Sequence, residues 1–252
     1  MNFKMYQVDA FTNTLFAGNP AAVCMLGSEW LPDTMMQQIA AENNLAETAF
    51  IVGTGKSCSI RWFTPAVEVD LCGHATLAAA HVLFQHEGLI GEEVVFASRS
   101  GNLGVKKHQG MYRLDFPVDI VSPVPITSDL LAGFSVEPVE AYRGKTDFLL
   151  IFKDEKEILD VKVDFSAVAK VKARGIIITA PSTKYDFVSR FFGPQSGIDE
   201  DPVTGSAYTT LVPVWAKKLG RTELKAAQLS KRGGELYCEL AGERVYITGN
   251  AK

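Results

Sequence analysis

Sliding the 252-residue chain against itself by 132 positions sets Gly73 on Gly205, Ala75 on Ala207, Gly88 on Gly220, Ser98 on Ser230, Gly101 on Gly233 and Gly110 on Gly242. Small residues held in step without a gap, at punctuating positions, are the mark of an internal repeat. A second match, Arg61-Trp62-Phe63-Thr64-Pro65 on Arg190-Phe191-Phe192-Gly193-Pro194, runs at an offset of 129, so the second half carries three extra residues before Asp201. A repeat this long predicts two lobes of one design. It does not predict a solenoid, whose units are short and need several copies. Pro117 to Pro125 holds three prolines and marks the boundary, giving lobes at 1–118 and 119–252.

Each lobe has a wholly apolar segment after a small-residue loop: Ala75–Phe84 after Asp70-Leu71-Cys72-Gly73-His74, and Ala207–Ala216 after Pro202-Val203-Thr204-Gly205-Ser206. A helix apolar on every side is surrounded by protein. Around each lie short strands separated by glycines. The expected fold is therefore α+β, with each lobe a barrel-like sheet wrapped round a central helix. Pro213 should bend the second helix near Thr209. Leu31-Pro32-Asp33 opens a further helix through Glu42, and Gly175-Ile176-Ile177-Ile178-Thr179 reads as a buried strand.

With 47 % hydrophobic residues the chain can fill such cores, and a net charge of −4 without basic runs argues against nucleic acid or an anionic membrane surface. No apolar stretch reaches the roughly 20 residues that span a bilayer. The N-terminal segment from Met1 to Val8 reads as a strand and not as a signal peptide, and Cys24, Cys58, Cys72 and Cys238 are too dispersed for a disulfide framework. A cytoplasmic location with free thiols is the expectation.

The helix starts are where chemistry can gather, since free N–H groups and the helix dipole favour an anion there. Asp201, Thr204 and Ser206 are also ordinary helix-start residues. Glu47 beside Thr48 is, on composition, a solvated loop acid. His74 at a helix start serves as well for a structural hydrogen bond, His81 reads as a core histidine, and His86 and His108 read as surface residues. Dispersed His and Cys give no zinc spacing. Gly53-Thr54-Gly55-Lys56 lacks the spacing of a phosphate loop, and Thr204-Gly205-Ser206-Ala207-Tyr208 is not a G-x-S-x-G elbow. Neither a metal nor an organic cofactor is expected.

Five segments stand out together: Asp9-Ala10-Phe11-Thr12, Gly18-Asn19-Pro20-Ala21-Ala22-Val23, Asn44-Leu45-Ala46-Glu47-Thr48-Ala49-Phe50, Asp70-Leu71-Cys72-Gly73-His74-Ala75-Thr76 and Asp201-Pro202-Val203-Thr204-Gly205-Ser206-Ala207. In this order they resemble the signatures of the phenazine-biosynthesis isomerase family, PhzF. The resemblance covers nearly the whole chain in order. It implies the diaminopimelate epimerase fold, two pseudo-symmetric lobes, and a site in the cleft between them. It also implies cofactor-free proton chemistry on a small carboxylate and a homodimer. Glu47 is the expected proton carrier with Asp201 as a second catalytic acid; Gly73, His74, Gly205, Ser206 and Asn19 are the expected substrate contacts. Where the family often has His after Ser-Ala this chain has Tyr208, which changes a side chain expected near the cleft. The alternatives are an amino-acid epimerase or racemase, and a binding protein that has kept the cleft without turnover. A two-thiol epimerase needs a cysteine before each helix-start glycine; Cys72 supplies one, and the offset of 132 puts Thr204 in the other place.

Overall fold

The computed structural model describes residues 2–252. The chain divides into two compact units: the first runs up to Asp115 and takes back Ile247–Lys252, and the second is Phe116–Tyr246. The sequence boundary at 118/119 leaves residues 247–252 in the second lobe. They join the first because backbone pairing draws them there. Asp9 N–H donates to the Lys252 carbonyl, Phe11 N–H to Asn250, and Lys252 N–H back to Asp9, at 2.8, 2.8 and 3.0 Å.

The first unit begins with β1 (Lys4–Ala10), β2 (Asn19–Gly27), α1 (Asp33–Asn43), β3 (Glu47–Val52), β4 (Ser57–Phe63) and β5 (Glu68–Val69). It continues with α2 (Gly73–Gln85), β6 (Glu93–Ser98), β7 (Gly101–His108) and β8 (Met111–Pro117). Strands β1 and β2 are antiparallel, β2 and β3 parallel, β3 and β4 antiparallel, and β4 and β6 parallel across α2. The sheet is covered on both faces. Helix α1 packs on β3 and β4 through a cluster of Cys24, Met36, Phe50 and Phe63. Helix α2 packs on β1, β2, β3 and β7, with every residue from Gly73 to Ala80 buried. Two covered faces explain why these strands read as near-continuous apolar runs.

The second unit repeats the scheme. It holds β9 (Ser122–Pro123), α3 (Ser128–Leu131), β10 (Glu140–Arg143), β11 (Asp147–Ile151), α4 (Glu155–Asp160), α5 (Phe165–Val168), β12 (Gly175–Pro181) and β13 (Phe187–Gly193). Then come β14 (Ile198–Asp201), a short 3-10 turn Gly205–Ala207, α6 (Tyr208–Leu219), β15 (Glu223–Gln228), β16 (Gly234–Ala241) and β17 (Arg244–Gly249), whose residues from Ile247 on belong to the first unit. Here β10 and β11 are antiparallel, β11 and β12 parallel, β12 and β13 antiparallel, and β13 and β15 parallel across α6. Period-two alternation along β12 divides its side chains. Ile176 and Ile178 join the cluster under α4, while Thr179 accepts the Trp215 indole N–H of α6 at 3.0 Å. The α+β class read from the sequence holds.

Pro213 lies inside α6, as expected, and cannot donate to the Thr209 carbonyl. The Asp119 N–H takes that carbonyl at 3.1 Å, so the helix continues through the proline with its backbone satisfied. Among the described residues no helix is long and apolar enough to cross a membrane.

Candidate active site

Strand register assembles the first-unit site. Ala21 of β2 sits beside Glu47 of the parallel β3, and Asn19, two residues before Ala21, shares its face. Phe50, three residues past Glu47, points the other way into the α1 cluster, so Glu47 faces α2. There α2 begins: Cys72 is its N-cap residue, with a thiol that gives no capping bond to the first turn, and His74 is its second helical residue. Asn19 and His74 are 0 % and 4 % exposed, while Glu47 is half-buried.

The contacts are short and directional. Asn19 Nδ2 lies 3.1 Å from His74 Nδ1, and Cys72 Sγ lies 3.6 Å from the same ring nitrogen. On the other side of the ring, His74 Nε2 lies 3.2 Å from Glu47 Oε2, off the line of a formed hydrogen bond. Burial pushes the imidazole down to about 3, so the ring is neutral near pH 7. The positive end of α2 acts in the same direction.

Glu47, Cys72 and His74 have ligating atoms within 4.8 Å of one another. The thiol and the carboxylate, however, lie against different ring nitrogens, and the Asn19 amide faces the one nearer the thiol. Burial also pushes the thiols of Cys24 (to about 12), Cys58 and Cys238 upward, which makes them poor nucleophiles.

In the second unit Asp201 is buried and tied to its neighbours. The Thr204 hydroxyl donates to Asp201 Oδ2 at 2.5 Å, and Gln228 bridges the turn, accepting from Thr204 N–H at 2.9 Å and donating to the Asp201 carbonyl at 2.8 Å. Ser206 is held by an arginine that the sequence reading did not single out. Arg174 Nη1 donates to Ser206 Oγ at 2.8 Å, while its Nε and Nη2 grip the two oxygens of buried Asp147. Gly205 is buried in the turn before α6. The structure thus brings Asn19, Glu47, Gly73 and His74 together in one unit, and Asp201, Gly205 and Ser206 in the other.

Removing Arg174 alone strands the Asp147 carboxylate, whose side chain is 2 % exposed. Breaking a buried pair costs about 3–5 kcal/mol. Because the Arg174 side chain is 38 % exposed, solvent offsets part of this and about 2 kcal/mol is expected for Arg174→Met. The Arg174→Met/Asp147→Asn double variant should recover most of the loss in urea melts. Equal losses in single and double variants would show that the stranded Asp147 charge is not the source of the loss.

Tyr208, which stands where the family often has His, is a core residue of the second unit. It is fully buried, its ring packs against Phe187, and its hydroxyl lies 3.2 Å from Ser189 Oγ. Burial raises its phenol far above the ordinary range. The signal was present: Tyr208, Leu211, Val212 and Trp215 stand at helical spacing on one apolar face. His81, expected in the core, is only partly buried, with Nδ1 3.1 Å from the Tyr112 hydroxyl.

The model of a family described as "Phenazine biosynthesis-like protein" matches residues 8–252. An uncharacterized isomerase of Pseudomonas aeruginosa is 49 % identical over 251 residues, covering 100 % of this chain and 96 % of its own. A crystal structure of a PhzF-family protein from Enterococcus faecalis superposes with a TM-score of 0.96 at 47 % identity, covering 100 % of this chain and 96 % of that one. A predicted epimerase of Pseudomonas aeruginosa, at 17 % identity and a TM-score of 0.72, covers 100 % of this chain and 96 % of its own and shares the fold. Motif order, fold and whole-length identity agree, and the chain belongs to the phenazine biosynthesis-like, or PhzF, family.

Proposed function

We propose that this protein is a cofactor-independent isomerase that moves a proton on a small carboxylate-bearing metabolite, with Glu47 taking the proton and returning it. The observation that carries this reading is the Glu47 carboxylate 3.2 Å from an imidazole that burial keeps neutral. A charged imidazolium there would pair with the carboxylate and lower its basicity. A neutral ring beside the carboxylate leaves its charge for the substrate proton. The first N–H groups of α2, at Gly73 and His74, suit the substrate's own carboxylate. For the second unit, binding by Gly205 and Ser206 and proton transfer by Asp201 rest on the family resemblance alone.

The test is a screen of small carboxylates for protein-dependent uptake of solvent deuterium, read by mass spectrometry. At least one should exchange, and exchange should survive exhaustive dialysis against a chelator. Loss on dialysis that a single metal restores would overturn the cofactor-free chemistry. Tight binding of a carboxylate without any exchange would favour the silent binding protein instead.

A further inference from the structure

Three different groups meet the two nitrogens of His74, and two of them constrain the ring's proton. The Asn19 amide nitrogen, which can only donate, faces Nδ1, and the Cys72 thiol, which can donate or accept, faces it too. A carboxylate, Glu47, faces Nε2, and a carboxylate accepts. The amide and the carboxylate fix one arrangement, which the thiol can join as a donor: Nδ1 bare and Nε2 carrying the hydrogen. The opposite tautomer would set a lone pair against the Glu47 carboxylate and a ring N–H against the Asn19 amide.

We propose that Asn19 is a positioning residue that holds the buried His74 ring as its Nε2–H tautomer, so that the ring presents to Glu47 a donor and no charge. This deepens the proton-transfer reading and rests on it for its kinetic consequence. The tautomer itself stands on the contacts alone. Asn19 is fully buried and comes from β2, 55 residues away from its partner, so its amide is fixed by the sheet and not by the helix it serves. The titratable groups facing the ring are Glu47 from β3 and Cys72 from the cap of α2. Second-partner control of a histidine's tautomer is a general device, since the bond made at one nitrogen sets the state of the other.

The test needs no substrate. Protein labelled with 15N at histidine is examined by long-range 1H–15N correlation, and the His74 signals are assigned by their loss in His74→Gln. His74 should show an unprotonated Nδ1 and a protonated Nε2, unchanged from about pH 8 to about pH 5. In Asn19→Asp a carboxylate replaces the amide and accepts from Nδ1. The proton should move to Nδ1 and the titration midpoint rise by ~2 units, as for any imidazole given an adjacent anion. In Asn19→Ala the single tautomer should give way to a mixture. Unmoved signals of His81, His86 and His108 certify the fold of each variant. A wild-type ring protonated at Nδ1, or a pure Nε2–H tautomer surviving in both variants, overturns the assignment. If the tautomer behaves as stated while Glu47→Gln still catalyses exchange, the proton-transfer reading falls and the positioning role stands.

Discussion

Glu47→Gln should lower solvent-deuterium exchange at least ~100-fold on whatever carboxylate the screen identifies, the low end for removing a general acid/base. The substitution keeps the shape of the side chain and leaves an amide oxygen for the His74 N–H to meet. What it removes is the capacity to hold a proton. Cys72→Ser should keep most of the exchange. The rival to be excluded is a thiol epimerase, and the structure gives it some ground, because Cys72 Sγ sits 3.6 Å from His74 Nδ1. That mechanism needs a second base, however, and Thr204 occupies the equivalent place. Its hydroxyl is buried and donated to Asp201. An unactivated hydroxyl is no base near neutral pH. The opposite ranking of the two variants would make Cys72 the working group and this protein a modified epimerase.

Gly18→Ala should cost about 3 kcal/mol or more, summing the strain of a left-handed alanine with a backbone clash. Gly18 has φ +66, and a Cβ there would fall on the Ala10 carbonyl oxygen, with Thr12 Cγ2 at 2.7 Å. A flexible neighbour can swing aside, but this carbonyl belongs to a β1 residue paired with Asn19. The turn already holds Phe11 and Phe16 at φ 62 and 69, with Phe16 N–H donated to Asp9 Oδ2 at 2.8 Å. For a chain of this size the loss corresponds to a fall in Tm of roughly 6–12 °C. Gly18 also precedes Asn19 directly, so relief of the clash by backbone movement would draw the amide off His74. A melting curve matching the wild type would show that the turn can adopt another path.

The two-unit plan was legible because the repeat rests on residues with no substitute: glycines where strands turn and small residues where the central helices begin. Gly73 does begin α2, and Gly205 does open the turn into α6. What escaped the sequence reading depends on register. Asn19 meets His74 only because β2 lies parallel to β3 with Ala21 beside Glu47, and no local pattern announces that pairing. Arg174 lies just before β12, which read merely as a buried strand, and its bonds to Asp147 and Ser206 are set by folding alone. The return of residues 247–252 to the first unit was hidden for the same reason. Three residues of backbone pairing leave no trace in side-chain composition.

That return sets the order in which the protein can be finished. Residues 9–11 leave the ribosome some 240 residues before residues 250–252, a delay on the order of 10–50 s at ~5–20 residues per second. Through that interval the backbone donors at Asp9 and Phe11 have no native acceptors, at the foot of the turn that carries Gly18 and Asn19. An extended segment from a neighbouring nascent chain can take the place. Crowded polysomes therefore favour exchange of residues 250–252 between chains, and with it a swapped product in which one molecule's residues 250–252 pair with residues 9–11 of another.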